Sequence, residues 1–235
     1  FLKVHAKSTD IFCFQEVFDK LSNIKVSNEA RVNIYNEIKN TLSNFQSFYT
    51  PAQDGFDYQG AVNFDLSFGL AIFVKNPVHI VKHGDVFVFR TRNARKNDNT
   101  SLGRNLEYIT FKKDKSKIAV FNLHGLWNGR GKTDTGDRLE QSQKVKIFMD
   151  KFDDSKKILC GDFNLLPNTE SIAILSDGMK NLVKDFGVIS TRSKLYSKPE
   201  KFADYILVSP DVNVQHFEVL QDEVSDHLPL LLEFD

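Results

Sequence analysis

A single domain of mixed α/β structure is what the sequence predicts, on three observations. Hydrophobic residues make up 41% and charged residues 26% of the 235 residues. That is a globular composition, and it excludes a disordered tail, a collagen or a coiled-coil rod. Short apolar runs of strand length alternate with a few amphipathic stretches, with no repeat, low-complexity tract or linker between them. Phe is abundant, 21 residues against one Trp, as in a thick core of aromatic strand residues. The strands interleave too irregularly for a simple parallel nucleotide-binding sheet.

The elements follow in order. Residues 10–17 read as a strand, and 29–42 as a helix with Ile34, Ile38 and Leu42 on one face. Residues 68–74 form an apolar strand ending at Asn76-Pro77, and 78–89 hold two short strands around Gly84. Residues 106–111 and 118–123 flank the polar run 112–117 as a hairpin. Residues 137–152 carry the clearest helix pattern, with Asp137 as N-cap, Glu140 three residues on, and Leu139, Val145, Phe148, Met149 and Phe152 on the apolar face. A strand over 157–160 stops at Gly161, a short helix follows over 171–175, and strands at 205–208 and 228–234 close the domain.

Lys+Arg and Asp+Glu both total 31, so the formal charge is zero. This argues against coating nucleic acid by bulk charge while leaving room for a local basic groove. Cys13 and Cys160 each lie in an apolar run and read as buried reduced thiols, too few for a disulfide framework or a cysteine zinc site. No run approaches the roughly 18 apolar residues of a membrane span. No signal-peptide pattern is present, so a cytoplasmic monomer with no membrane association is the default expectation.

Polar residues interrupt these strands at their ends. Glu16 closes one run, and Asn122 and His124 share a face at the end of another because strand side chains alternate. Asp162 and Asn164 repeat the arrangement, while Asp204 and the Asp226-His227 pair stand at the beginnings of strands. In a mixed sheet, strands of opposite direction would bring all of these ends to one rim. Singly, each residue reads better as a turn, a strand cap, a loop acid or an exposed terminus. Jointly, four carboxylates without matching Lys or Arg call for a cation, and oxygen donors with few imidazoles point to Mg²⁺ or Mn²⁺ over zinc.

The motifs Phe14-Gln15-Glu16-Val17, Asn122-Leu123-His124, Gly161-Asp162-Phe163-Asn164, Asp204-Tyr205-Ile206-Leu207-Val208-Ser209 and Ser225-Asp226-His227-Leu228-Pro229-Leu230 together resemble those of the endonuclease/exonuclease/phosphatase superfamily. Leu126-Trp127-Asn128-Gly129 and Arg138-Leu139-Glu140-Gln141-Ser142 resemble a microbial branch of it. The resemblance implies an α+β fold, a four-layer α/β/β/α sandwich of two mixed sheets between helices, and metal-dependent cleavage of phosphate esters. It further implies Glu16 as the principal Mg²⁺ ligand with Asp226 near the same ion. Asp162 would position or deprotonate the attacking water, with Asn164 holding the nucleophile or a phosphate oxygen. Asp204 would orient His227 toward the scissile phosphate, and His124, with Asn122 beside it, matches a phosphate-binding or acid-acting histidine. Members of the superfamily begin with a strand carrying an Asn at the rim. Here the chain opens on Phe1-Leu2-Lys3-Val4-His5, so residues 1–235 are expected to form one domain lacking its first strand.

The substrate expectation rests on residues 90–117, where nine cations face three anions, a net +6. Such a stretch beside a phosphate-cleaving rim would track a polyanionic backbone, which puts a nucleic acid phosphodiester first. It reads equally as a solvated loop and hairpin turn. A phosphomonoesterase, a lipid-headgroup phosphodiesterase and a non-catalytic phosphate-binding relative are the alternatives. Arg192 and Trp127 are candidates for binding substrate, the first through phosphate and the second by stacking on a base.

Overall fold

The run Ser-Phe-Gly-Leu-Ala-Ile-Phe-Val-Lys over residues 67–75 is apolar at nearly every position instead of alternating, as required of a strand covered on both faces. The computed structural model describes residues 1–20, 32–57, 59–94 and 102–235 and places this run at the centre of a sheet. In chain order the helices are α1 (Leu2–His5), α2 (Ile34–Thr41), α3 (Gly136–Met149), α4 (Glu170–Ser176) and α5 (Leu182–Asp185). The strands are β1 (Ile11–Asp19), β2 (Phe45–Asp54), β3 (Phe56–Asp57), β4 (Gly60–Ala61), β5 (Ser67–Lys75), β6 (Ile80–Phe89), β7 (Arg104–Lys113), β8 (Ser116–His124), β9 (Lys156–Asp162), β10 (Lys180–Asn181), β11 (Asp204–Val208), β12 (Val214–Val219) and β13 (Leu230–Phe234).

Strand β5 lies between β1 and β2, antiparallel to both. Its side chains divide by parity. Ala71 and Phe73 meet Phe12, Ile38 and Leu42 on the face covered by α1 and α2, while Ile72 and Val74 enter the main core. That core is built on a six-stranded sheet in the order β10-β11-β9-β8-β7-β6, in which only β8 and β9 run parallel. Val145 and Met149 of α3 and Ile172 and Leu175 of α4 bury against it. The layers are thus helices, sheet, sheet and helices, the α/β/β/α sandwich. An aromatic group of Tyr108, Phe121, Phe148 and Phe152, with centroids 5.1–6.4 Å apart, joins α3 to the large sheet. Strands β12 and β13 pair with each other and lean on the same core. Among the described residues, the outer edges of β1 and β13 have no strand neighbour.

Several local expectations need correction. The N-cap of α3 is Thr135, not Asp137, and its side chain accepts from the Arg138 backbone N–H. Residues 80–89 form one strand instead of two, because Gly84 continues the ladder opposite Tyr108. The helix expected over 29–42 covers Ile34–Thr41, with its first residues outside those described. Strand β2 went unread: Pro51 and the polar residues among its aromatics hide it, and the register shifts by one residue at Pro51/Gln53. Cys13 and Cys160 are free and only half-buried. They are hydrogen-bonded to each other, and this bond together with burial raises the Cys13 pKa well above that of an ordinary thiol.

Glu107 of β7 is an acid in the middle of the core, 1% exposed. Its Oε2 accepts from Asn122 Nδ2 at 3.1 Å, and among the described residues Oε1 has no hydrogen-bond partner. Burial raises its pKa well above 4.5, outweighing the Asn122 bond, so the native carboxyl stays protonated where the unfolded one ionises. Its contribution is therefore complete below pH 4.5 and declines as pH rises toward the native pKa. The decline approaches about 1.4 kcal/mol per pH unit. Glu107→Gln is expected to flatten that slope in urea unfolding between pH 5 and pH 8, and an unaltered slope would show that the carboxyl is ionised in the folded protein.

Candidate active site

Three adjacent ends of the large sheet carry the centre of the rim. In the parallel β8–β9 pair His124 stands beside Asp162, and in the antiparallel β9–β11 pair Asp162 stands opposite Asp204. The opposite strand directions foreseen from the sequence are what bring these ends together. The close approach of β8 and β9 depends on Gly161, at φ +133°, where a Cβ would lie 2.0 Å from the Leu123 carbonyl oxygen. Beyond β9 the chain turns at Asn164, φ +54°, whose backbone N–H donates to Asp162 Oδ1 at 2.8 Å.

Asp204 is held at both oxygens. Oδ1 faces His227 Nδ1 at 2.7 Å and Oδ2 accepts from the Thr191 hydroxyl at 2.9 Å, while that hydroxyl accepts from the backbone N–H groups of Ala203 and Asp204. Thr191 is wholly buried, and sequence reasoning missed it because a Thr in Ser190-Thr191-Arg192-Ser193 carries no local signal of burial. The Asp204–His227 pairing expected from the resemblance is present. Burial pulls the His227 pKa down, but the Asp204 bond and the charges of Asp162 and Asp204 outweigh it, and the pKa is raised to about 9. Asp162 lies 3.8 Å from His227 Nε2. Burial opposes its ionisation, yet the charges of His227, Lys132 and Arg192 prevail and lower its pKa, so it is a carboxylate at neutral pH.

His124 is different. Burial first, and then the Arg104 guanidinium, hold its pKa well below the usual imidazole range, so the ring is neutral. Arg104 Nη1 lies 3.4 Å from Nδ1, which makes Nδ1 the acceptor and leaves the proton on Nε2, 3.6 Å from Glu16 Oε1. Glu16 comes from the other sheet. A bulge in β1 between Phe14 and Val17, with Glu16 at φ +58°, directs its half-exposed carboxylate to the rim. Asn122 shares the His124 face but lies deeper, fully buried. It accepts from Gln15 Nε2 at 2.6 Å and donates to the Phe14 carbonyl and Glu107, so it links the two sheets below the rim.

Asp226 and Arg192 form a pair. Arg192 Nη1 donates to Asp226 Oδ2 at 3.1 Å and also touches His227 Nε2, while its guanidinium stacks 4.1 Å above the Tyr196 ring. Arg192 is thus part of the rim, and its Nε is buried without a hydrogen-bond partner among the described residues. Trp127 is half-buried, with Lys132 Nζ 5.7 Å and Lys198 Nζ 5.1 Å from its ring centroid.

Lys132 is the second residue that sequence reasoning missed, since Asn128-Gly129-Arg130-Gly131-Lys132 reads as an exposed turn. It is 3% exposed and donates to Asn164 Oδ1 at 2.7 Å, and burial lowers its pKa. The buried side of α3 explains this. Arg138 donates to the carbonyls of Leu126, Gly131 and Thr133, and Gln141 Oε1 accepts from the Leu126 N–H. Asp134 accepts from Glu170 N, Ser171 N and Ser171 Oγ at the start of α4.

The basic stretch divides between the two ends of the large sheet. Lys112, Lys113, Lys115 and Lys117 lie at the turn joining β7 to β8, nine residues of β8 from His124. That separation is about 26 Å at ~3.3 Å per strand residue. Lys113 pairs there with Asp235, and Lys117 with Asp154. At the other end Arg92 is bound through two nitrogens to Asp54. Arg95 and Lys96 lie outside the described residues.

Among the described residues, one group of three potential ligands has its atoms within 4.8 Å of one another, namely Asp162, Asp204 and His227. Both Asp204 oxygens and His227 Nδ1 are already engaged within it. Glu16 and Asp226 are not brought into a common group of this kind.

A sandwich of two sheets with carboxylates and imidazoles on one rim defines a class of phosphate-ester hydrolases. The chain belongs to the endonuclease/exonuclease/phosphatase family, whose sequence model matches residues 2–227. No curated protein sequence matches it. Its fold is similar to that of a Bacteroides thetaiotaomicron mannosyl-6-phosphatase, Bt3783, with a TM-score of 0.71 and 22% identity over 100% of this chain and 90% of the other. It is also similar to the catalytic domain of human Nocturnin, with a TM-score of 0.66 and 18% identity over 99% and 82% of the two chains. ANGEL2, a 2′,3′-cyclic phosphatase, gives 0.71 and 17% over 99% and 83%. Among the described residues, no helix is long and apolar enough to cross a membrane.

Proposed function

We propose that this protein is a Mg²⁺-dependent phosphoesterase that hydrolyses its substrate by in-line attack of water. The observation that carries this reading is the buried, ionised Asp162 lying between Asn164, His227 and Lys132 at three converging strand ends. In the proposed reaction Asp162 orients the attacking water and takes its proton, help worth about 10²–10⁴-fold. Arg192 and His227 donate to the equatorial phosphate oxygens, which gain charge in the transition state. Entry of the phosphate gives both Arg192 and His227 Nε2 an oxygen to donate to. Asp204, fixed by Thr191, keeps the His227 ring in position. His124, neutral and protonated at Nε2, donates to Glu16 or to an oxygen of the substrate.

The donor set fits a hard divalent cation, because the remaining rim donors are carboxylate oxygens. Glu16, half-exposed on its bulge, and Asp226 would hold it, the latter once Arg192 turns to substrate. When bound, Mg²⁺ would supply Lewis-acid polarisation of the phosphoryl group. The test is hydrolysis of p-nitrophenyl phosphate, bis-p-nitrophenyl phosphate, sugar phosphates, single-stranded DNA and RNA, with Mg²⁺ or Mn²⁺ and with EDTA. Turnover that survives EDTA would reject the metal. Silence across the panel would favour a phosphate-binding protein without activity.

The placement of the basic hairpin changes the order of substrates. Four of the nine cations expected to follow a nucleic acid stand at the far end of β8, so a small phosphate ester takes precedence over a polynucleotide. A phosphatase of known structure with the same fold, the mannosyl-6-phosphatase, supports that order. The double substitution Lys112→Ala/Lys113→Ala is expected to leave both KM and its salt dependence unchanged on single-stranded DNA. A flatter salt slope would return the hairpin to the substrate path.

A further inference from the structure

Lys132 lies at the rim without belonging to any motif of the reaction, and its surroundings give it a specific task. Its ammonium donates to Asn164 Oδ1 at 2.7 Å, a short charge-assisted bond between two buried side chains. No other hydrogen-bond acceptor among the described residues takes its remaining N–H groups. The Asn164 amide is also tied on its other side, where Nδ2 donates to the Gly125 carbonyl at 3.3 Å. An amide can present itself in two orientations of nearly identical shape, and only its partners distinguish them. The flipped orientation here would set the Asn164 NH₂ against an ammonium and its carbonyl oxygen against the oxygen of Gly125. Lys132 therefore forbids the flip. One Nδ2 hydrogen is used by Gly125, and the second remains for an oxygen near Asp162.

We propose that Lys132 is the positioning residue of Asn164: it locks the amide with its NH₂ available to the attacking water or a phosphate oxygen. The inference rests on the phosphoesterase reading given above. The placement is built in, not incidental. The Leu166 N–H donates to the Lys132 carbonyl at 2.9 Å, and the three carbonyls taken by Arg138 bracket the loop that carries it.

The experiment is a double-mutant cycle of Lys132→Met and Asn164→Ala on the best substrate of the panel, with Mg²⁺ present. Lys132→Met in the otherwise intact protein is expected to lower kcat about 10- to 100-fold, as misplacement of a reacting group does, with KM nearly unchanged. In the Asn164→Ala background the same substitution should have a clearly smaller effect, limited to loss of the Lys132 charge near Asp162. An equal loss in both backgrounds would overturn the proposal and make Lys132 a group that acts without Asn164. A second measurement is independent of turnover. The side-chain NH₂ resonances of Asn164, assigned by their loss in Asn164→Ala, should shift and broaden in Lys132→Met as the amide begins to flip. Resonances unchanged in position and width would overturn the proposal even in a protein found to hydrolyse nothing. An inactive wild type with shifted resonances would instead reject the phosphoesterase reading alone.

Discussion

Asp162→Asn is expected to reduce turnover about 10²–10⁴-fold while KM changes little, the loss that follows removal of a general base. The substituted side chain keeps an oxygen to accept the Asn164 N–H, so the turn after β9 has no reason to rearrange. What disappears is the negative charge that His227, Lys132, His124 and Arg192 surround, and with it the capacity to take a proton from water. Initial rates of purified wild type and variant on the same ester, beside their circular dichroism spectra, decide the matter. A variant retaining a tenth or more of wild-type turnover with an intact fold would move the base elsewhere on the rim.

The second large effect concerns stability. Arg138 is 1% exposed, and its guanidinium holds the carbonyls of Leu126, Gly131 and Thr133 from within α3. Arg138→Ala leaves these oxygens without a donor and opens a cavity beneath the loop. The expected cost is about 3–5 kcal/mol, in the range for removing one partner from a buried charged network. For a domain of this size such a loss lowers the unfolding temperature by roughly 6–20 °C. A shift of only one or two degrees would mean that the loop is held by Gln141 and Asp134 instead. The site should suffer as well, since Trp127 and Lys132 both stand on this loop.

Much of the site was legible because strand side chains alternate and strands end abruptly. His124, Asp162 and Asp204 interrupt apolar runs at positions that a mixed sheet must bring to one edge, and the ladder registers place them side by side. The four-layer order was carried by the motif resemblance, and the uninterrupted apolar run of β5 is its physical counterpart. Asp226 and Arg192 were both named from sequence, but their pairing was not, because they are 34 residues apart and meet only through the bridge between Arg192 and His227.

By itself the sequence determined the strand ends that carry the rim residues, because those depend on residue type and on a local period of two, and its motifs carried the resemblance that implies the class of chemistry. Tertiary structure alone decided which polar groups are buried together. Thr191 under Asp204, Lys132 against Asn164 and Glu107 against Asn122 are all contacts between distant segments. It also decided that four lysines of the basic stretch stand a full strand length from the rim, since charge in a sequence has no position until the hairpin is placed. Burial sets the protonation of each group in this site, and burial belongs to the packed layers and not to any local stretch of chain.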